Sequence, residues 1–144
     1  MTPKLAATQL RLMGWGFIIF GVVFVTISLA GYDGFARRLT GIFDWTGAPR
    51  TDVLGRDARW FAAIMSGMSA AIGVLYAFVI APLLSSPDLK ARQIAKRGGL
   101  IVAFTWYIVD SLGSFGAGVP SNVAMNTLFL LGIALPLVMV KWTD

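Results

Sequence analysis

The stretch LMGWGFIIFGVVFVTISLA, Leu12 to Ala30, decides how the chain is read. It carries no charged side chain, and at 1.5 Å per residue it extends about 28 Å, the thickness of a bilayer's hydrocarbon core. A helix satisfies its backbone polar groups within its own segment, so this run predicts a membrane-crossing helix. Lys4 and Arg11 ahead of it and Ser28-Leu29-Ala30 at its end also match the basic region and small-residue cleavage site of a signal peptide, a second reading of the same residues.

Three further runs repeat the pattern. Phe61 to Leu84 and Val123 to Val140 are uncharged, and Gly98 to Phe115 holds one charge, Asp110. The expectation is an all-α, polytopic membrane four-helix bundle: a single domain over residues 1–144 with spans at about 12–30, 61–84, 98–115 and 123–140. Composition agrees, with 57% hydrophobic and 13% charged residues and a mean hydropathy of +0.76, against a charged share near a quarter in soluble domains. Asp57 sits where the second helix needs an N-cap, and Pro82 with Ser85-Ser86-Pro87 marks its end. Ser66, Gly67, Ser69, Ala70, Ala71 and Gly73 make its centre small. The pairs Gly67 with Ala71 and Ser69 with Gly73 admit close approach of another helix, in the same chain or in a second copy. Pro136 removes one hydrogen bond from the fourth helix, freeing the Gly132 carbonyl and bending the segment.

Several chemistries are excluded by what the chain lacks. There is no Cys, no His and no Glu, which removes thiol redox, disulfides, the usual zinc sites and the ordinary axial ligands of haem. No cofactor, metal site or catalytic residue is expected. The net charge is +5, but the basic residues flank apolar runs instead of lining a groove with interleaved aromatics. Membrane lipids with anionic headgroups are therefore the expected partners, with other membrane subunits or a second copy, and no nucleic acid.

Four spans place both termini and the Ser85 to Arg97 connection on one side, with Lys4, Arg11, Lys90, Arg92, Lys96, Arg97 and Lys141. Arg37, Arg38, Arg50, Arg56 and Arg59 lie on the other, among Asp33, Asp44, Asp52 and Asp57. The positive-inside rule then predicts cytoplasmic termini. In the first connection Phe35, Leu39, Ile42 and Phe43 recur at helical spacing, which predicts a short interfacial helix, with Trp45 and Trp60 at headgroup depth. The alternative is a loop with incidental apolar residues. Ser86-Pro87-Asp88 has the cap, first-position proline and early acid of a helix start, so the third helix begins before its apolar run. Lys90, Arg92, Lys96 and Arg97 then decorate its first turns, as a lipid-headgroup contact or a plain topology signal.

Asp110 is the one acid inside a span, where its insertion costs roughly 2.5 to 3.5 kcal/mol and where such a group usually has a partner or a task. About one turn from the far end of the third helix, it should face the interior. Ser111, Ser114, Asn122 and Asn126 fall at similar depth, and Arg59 starts the second helix on the same side. Asp110, Arg59, Ser114, Asn122, Asn126 and Trp106 are thus the candidate pocket. Three readings remain open. Arg59 pairs with Asp110 and fixes the helix order. Asp110 binds a proton, cation or cationic ligand, with Trp60, Trp106 and Tyr107 as walls. Or Asp110 is a catalytic acid or base, although a nucleophile or second ionisable group is missing.

A first span, a long amphipathic connection, Arg59 ahead of the Ser66-Gly67 region, and Ser114 through Pro120 leading into the fourth helix resemble the DoxX-like small four-helix membrane proteins of bacteria. Asp110 and Asn126 stand outside that pattern. The resemblance implies a multi-pass protein of the bacterial inner membrane and supplies no activity. The function expected from the sequence is non-enzymatic: an accessory or assembly subunit of a larger membrane complex or, alternatively, a small carrier or binding protein for a proton, cation or lipophilic ligand centred on Asp110.

Overall fold

A computed structural model describes residues 1–29, 32–45 and 55–141 of the chain. Ala30, Arg50 and Asp52, used above to place the first span and to count charges, lie outside the described residues. Every regular element described is helical. Four helices are long and apolar enough to cross a membrane: α1 (Pro3–Phe24), α3 (Arg56–Leu84), α4 (Leu89–Gly116) and α5 (Pro120–Met139), with a short α2 (Asp33–Gly41) between the first two.

The boundaries have local causes. The α1 helix begins nine residues before its uncharged run, because Thr2 accepts a hydrogen bond from the Leu5 amide and Pro3 occupies the first turn. It ends at Phe24, short of the expected Ala30, and tightens into a 3₁₀ turn over Val25–Ser28. The β-branched Val25-Thr26-Ile27 run disfavours another α turn, and the Thr26 hydroxyl donates to the Val23 carbonyl at 2.7 Å. In α3 the cap is Gly55 and Asp57 lies in the first turn, two residues inside the position expected for it. The α4 helix does start before its apolar run, but its cap is Asp88, which accepts from the Lys90 amide at 2.9 Å. Ser86 supports that cap by accepting from the Asp88 amide. Gly118, at φ 78°, turns the chain from α4 into α5, and Pro120 opens the new helix.

Pro82 does not end α3. The six residues Leu75–Ile80 widen into a π turn, and the helix continues through Ala81–Leu84. Proline clashes with the carbonyl four residues before it, here that of Phe78, and local widening relieves the clash without breaking the helix. Within the π turn the fully buried Tyr76 donates its hydroxyl to the Gly99 carbonyl of α4 at 2.5 Å. Pro136 likewise lies inside α5, which runs unbroken to Met139, with Met13 of α1 packed over Gly132.

The helices pack side by side around a core containing Leu10, Phe17, Tyr76, Leu84, Ile133 and Leu137. The closest pair is α1 with α3. A Cβ at Gly14 would lie 2.6 Å from the Ala77 nitrogen, one at Gly21 2.5 Å from the Ser66 carbonyl oxygen, and one at Gly73 2.5 Å from the Gly14 oxygen. The packed stripe of α3 is therefore Ser66, Ala70, Gly73 and Ala77. Ser69 is only partly buried, whereas Gly67 and Ala71 point away from the other helices.

The described part of the first connection, residues 32–45, packs against one end of α1, α3 and α5. Ala36 of α2 is buried against Ala62, flanked by Phe24 and Leu39. Farther on, the Phe20 and Phe43 rings meet edge to face at 5.6 Å, and Ser121 at the start of α5 donates to the Phe43 carbonyl at 2.8 Å. The expected helix is present over Asp33–Gly41, but its apolar residues divide: Leu39 turns inward, and Phe35 and Ile42 stay exposed.

Candidate functional site

Helical geometry puts the polar residues of α4 and α5 on facing sides. Ser111 and Ser114 on α4 recur at the interval that stacks side chains along one face, as do Asn122 and Asn126 on α5. The Asn122 amide donates to the Ser114 hydroxyl at 2.8 Å, and the Asn126 amide to the Ser111 hydroxyl at 3.3 Å. One turn deeper, the Tyr107 and Thr127 hydroxyls meet at 3.2 Å, and Thr127 also donates to the Val123 carbonyl. Asp110 faces this ladder, with the neutral polar side chains of Asn126 and Ser114 beside its carboxylate. Asn126 is 3% exposed, so its amide is held where water does not compete for it.

Arg59 does not belong to the cluster. Its guanidinium donates to the Asp33 carboxylate at 2.6 Å and to the Leu29 carbonyl at 2.6 Å. The pair is mostly buried, with side-chain exposures of 17% and 20%. Arg59 therefore ties α2 and the end of α1 to α3, and the expected Arg59–Asp110 ion pair is replaced by Arg59–Asp33. The cause is depth: Arg59 occupies the first turn of α3, level with α2 and short of Asp110. Among the described residues, the groups meeting the Asp110 carboxylate are neutral.

Trp106, one turn below Asp110 on the same face, is partly buried and packs against the core. Its ring centroid is 5.7 Å from that of Phe17 on α1 and 6.4 Å from that of Phe129 on α5, and Phe17 and Phe129 are 5.4 Å apart. These three rings floor the polar ladder. Sequence reasoning named Trp106 but not Phe17 or Phe129, because an aromatic residue inside an apolar run carries no mark of which way it points. Trp60 is no wall of this site: it is exposed and packs on Phe61 at 5.2 Å.

At the other end of α4, Lys90 and Arg97 are exposed and Lys96 is partly so, while Arg92 folds back to donate through Nε to the Ser86 carbonyl. Arg92 thus closes the α3 to α4 turn, and the other three form the outward basic edge.

The site can hold one positive charge against a carboxylate whose neighbours are neutral, above an aromatic surface. Its polar groups are the Asp110 carboxylate, the hydroxyls of Tyr107, Ser111, Ser114 and Thr127, and the amides of Asn122 and Asn126. No protein-family model matches the chain, and neither a curated protein nor a solved structure matches it.

Proposed function

We propose that this protein is a non-enzymatic, four-span bundle of the bacterial cytoplasmic membrane that binds a cation at Asp110. Its termini are cytoplasmic, α2 rests at the opposite interface, and Lys90, Lys96 and Arg97 meet anionic headgroups. A DoxX-like kinship is part of the same proposal. The observation that carries it is the Asp110 carboxylate, set in a span-length helix and meeting neutral partners among the described residues. An acid within a span that faces other helices marks, by default, a substrate, ion or proton site.

Native mass spectrometry in mild detergent tests this reading. The expected species is a monomer or homodimer retaining a small cationic adduct whose occupancy falls in Asp110→Asn. Stoichiometric co-purification with a larger complex, without such an adduct, would overturn it in favour of an accessory or assembly subunit. What speaks for that rival is the outward placement of Gly67 and Ala71, where a Cβ on Gly67 would meet nothing within 4 Å.

A further inference from the structure

The inward face of α4 changes along its length. Ala95, Gly99 and Ala103 are buried, but Trp106, Asp110 and Ser114, which continue the same face, are only partly so. The outward face is marked by Ile108, Leu112 and Phe115, the last two 70% and 72% exposed. Asp110 lies about 200° around the helix from Ile108, so its partial exposure arises on the side that faces the other helices. Among the described residues few contacts cross there: α4 packs against the π turn and Ala81–Leu84 of α3 but hardly touches Arg56–Val74. A cleft therefore opens between the first half of α3 and the second half of α4. Its α3 edge carries Met65, Ser69 and Ile72, all at least partly exposed.

We infer that this cleft takes a lipophilic organic monocation, an ammonium or phosphonium bearing apolar or aromatic groups, which enters sideways from the bilayer between α3 and α4. The inference rests on the reading of Asp110 as a cation site and specifies its ligand. One carboxylate balances one positive charge. The partly exposed Trp106 ring, backed by Phe17 and Phe129, offers a surface that attracts an organic cation and accepts its apolar groups. A bare metal cation needs several oxygen ligands at once, and neither the aromatic floor nor Met65 and Ile72 on the α3 edge supplies one. The edges are apolar enough for a lipid-soluble ion and unsuited to a hydrated one.

The test uses the full chain in phosphatidylcholine nanodiscs with Trp15, Trp45, Trp60 and Trp142 changed to Phe, leaving Trp106 as reporter. Lipids brominated in the acyl chain should quench Trp106, and tetraphenylphosphonium should relieve that quenching saturably. Asp110→Asn should weaken tetraphenylphosphonium binding about ten-fold or more, while Asp110→Glu restores it and sodium or potassium at equal ionic strength does not compete. Absence of quenching by brominated lipid, or equal binding by Asp110→Asn in a monodisperse preparation, would overturn the inference. If sodium, potassium or a pH step moves Trp106 emission in an Asp110-dependent way and tetraphenylphosphonium does not, the ligand class falls and the cation site stands. If none of these acts through Asp110, both fall. A co-purifying subunit that shields Trp106 from brominated lipid would also overturn it.

Discussion

The α1–α3 contact and the α4–α5 contact are built on opposite principles. Between α1 and α3, side chains are removed: Gly14, Gly21 and Gly73 let two backbones come together with no room for a Cβ. Between α4 and α5 toward Gly116, side chains are added, and Ser111, Ser114, Asn122 and Asn126 hold the helices through hydrogen bonds. Lipid tails are as apolar as leucine, so helix pairs in a membrane associate through close packing and polar bonds, not through hydrophobic burial. The chain uses one device on each side. The first is rigid because nothing in it can rotate away, and the second is adjustable because hydroxyls and amides can exchange partners.

This contrast can be broken most severely at its tightest point. Gly73→Leu should cost about 3 kcal/mol or more, since the intruding atoms meet the Gly14 oxygen and Ile18 nitrogen, which are backbone and cannot step aside. Thermal unfolding in detergent reads the loss, and a wild-type midpoint would refute the packing described. Asn126→Ala should cost about 1 kcal/mol in the same assay by removing the buried donor to Ser111. Tyr76→Phe, which deletes the hydroxyl bound to the Gly99 carbonyl, should cost a similar amount, about 1 kcal/mol, and should raise hydrogen exchange in both helices near that point. Arg59→Ala removes one partner of a mostly buried pair and should cost about 1 kcal/mol or more, with faster amide exchange over Asp33–Gly41 because α2 loses its tie to α3. Gly67→Val is the control, expected within about 0.5 kcal/mol of wild type because its side faces away from the other helices. A large loss there would show a contact that the described packing lacks.

The sequence shows how many long apolar helices there are because length and absence of charge are local properties. It also marks Ser114, Asn122, Asn126 and Asp110 as neighbours in depth, since polar residues inside apolar runs stand out one by one. Partner choice is not local. Arg59 was matched to Asp110 on the ground that both lie near one end, and the actual partner, Asp33, becomes visible only once α2 has a position. The small-residue stripe was read from pairs four apart, whereas the packed face runs Ser66, Ala70, Gly73, Ala77. Gly14 and Gly21 were legible as glycines inside the first span, but their opposition to Ser66 and Gly73 depends on a helix register that no single segment contains. The π turn was missed for a related reason: Pro82 signals a disturbance, and whether the helix stops or widens depends on what packs around Leu75–Ile80.

The bond from Tyr76 to Gly99 is also the last firm grip of α3 on α4 before the two separate. Beyond it α4 is held by α5, through Tyr107, Ser111 and Ser114, and by the Trp106–Phe17 ring contact, with Asp110 about 16 Å along the helix at 1.5 Å per residue. The lateral position of the acid is thus set from the α5 side, and the glycine contact between α1 and α3 takes no direct part in holding it.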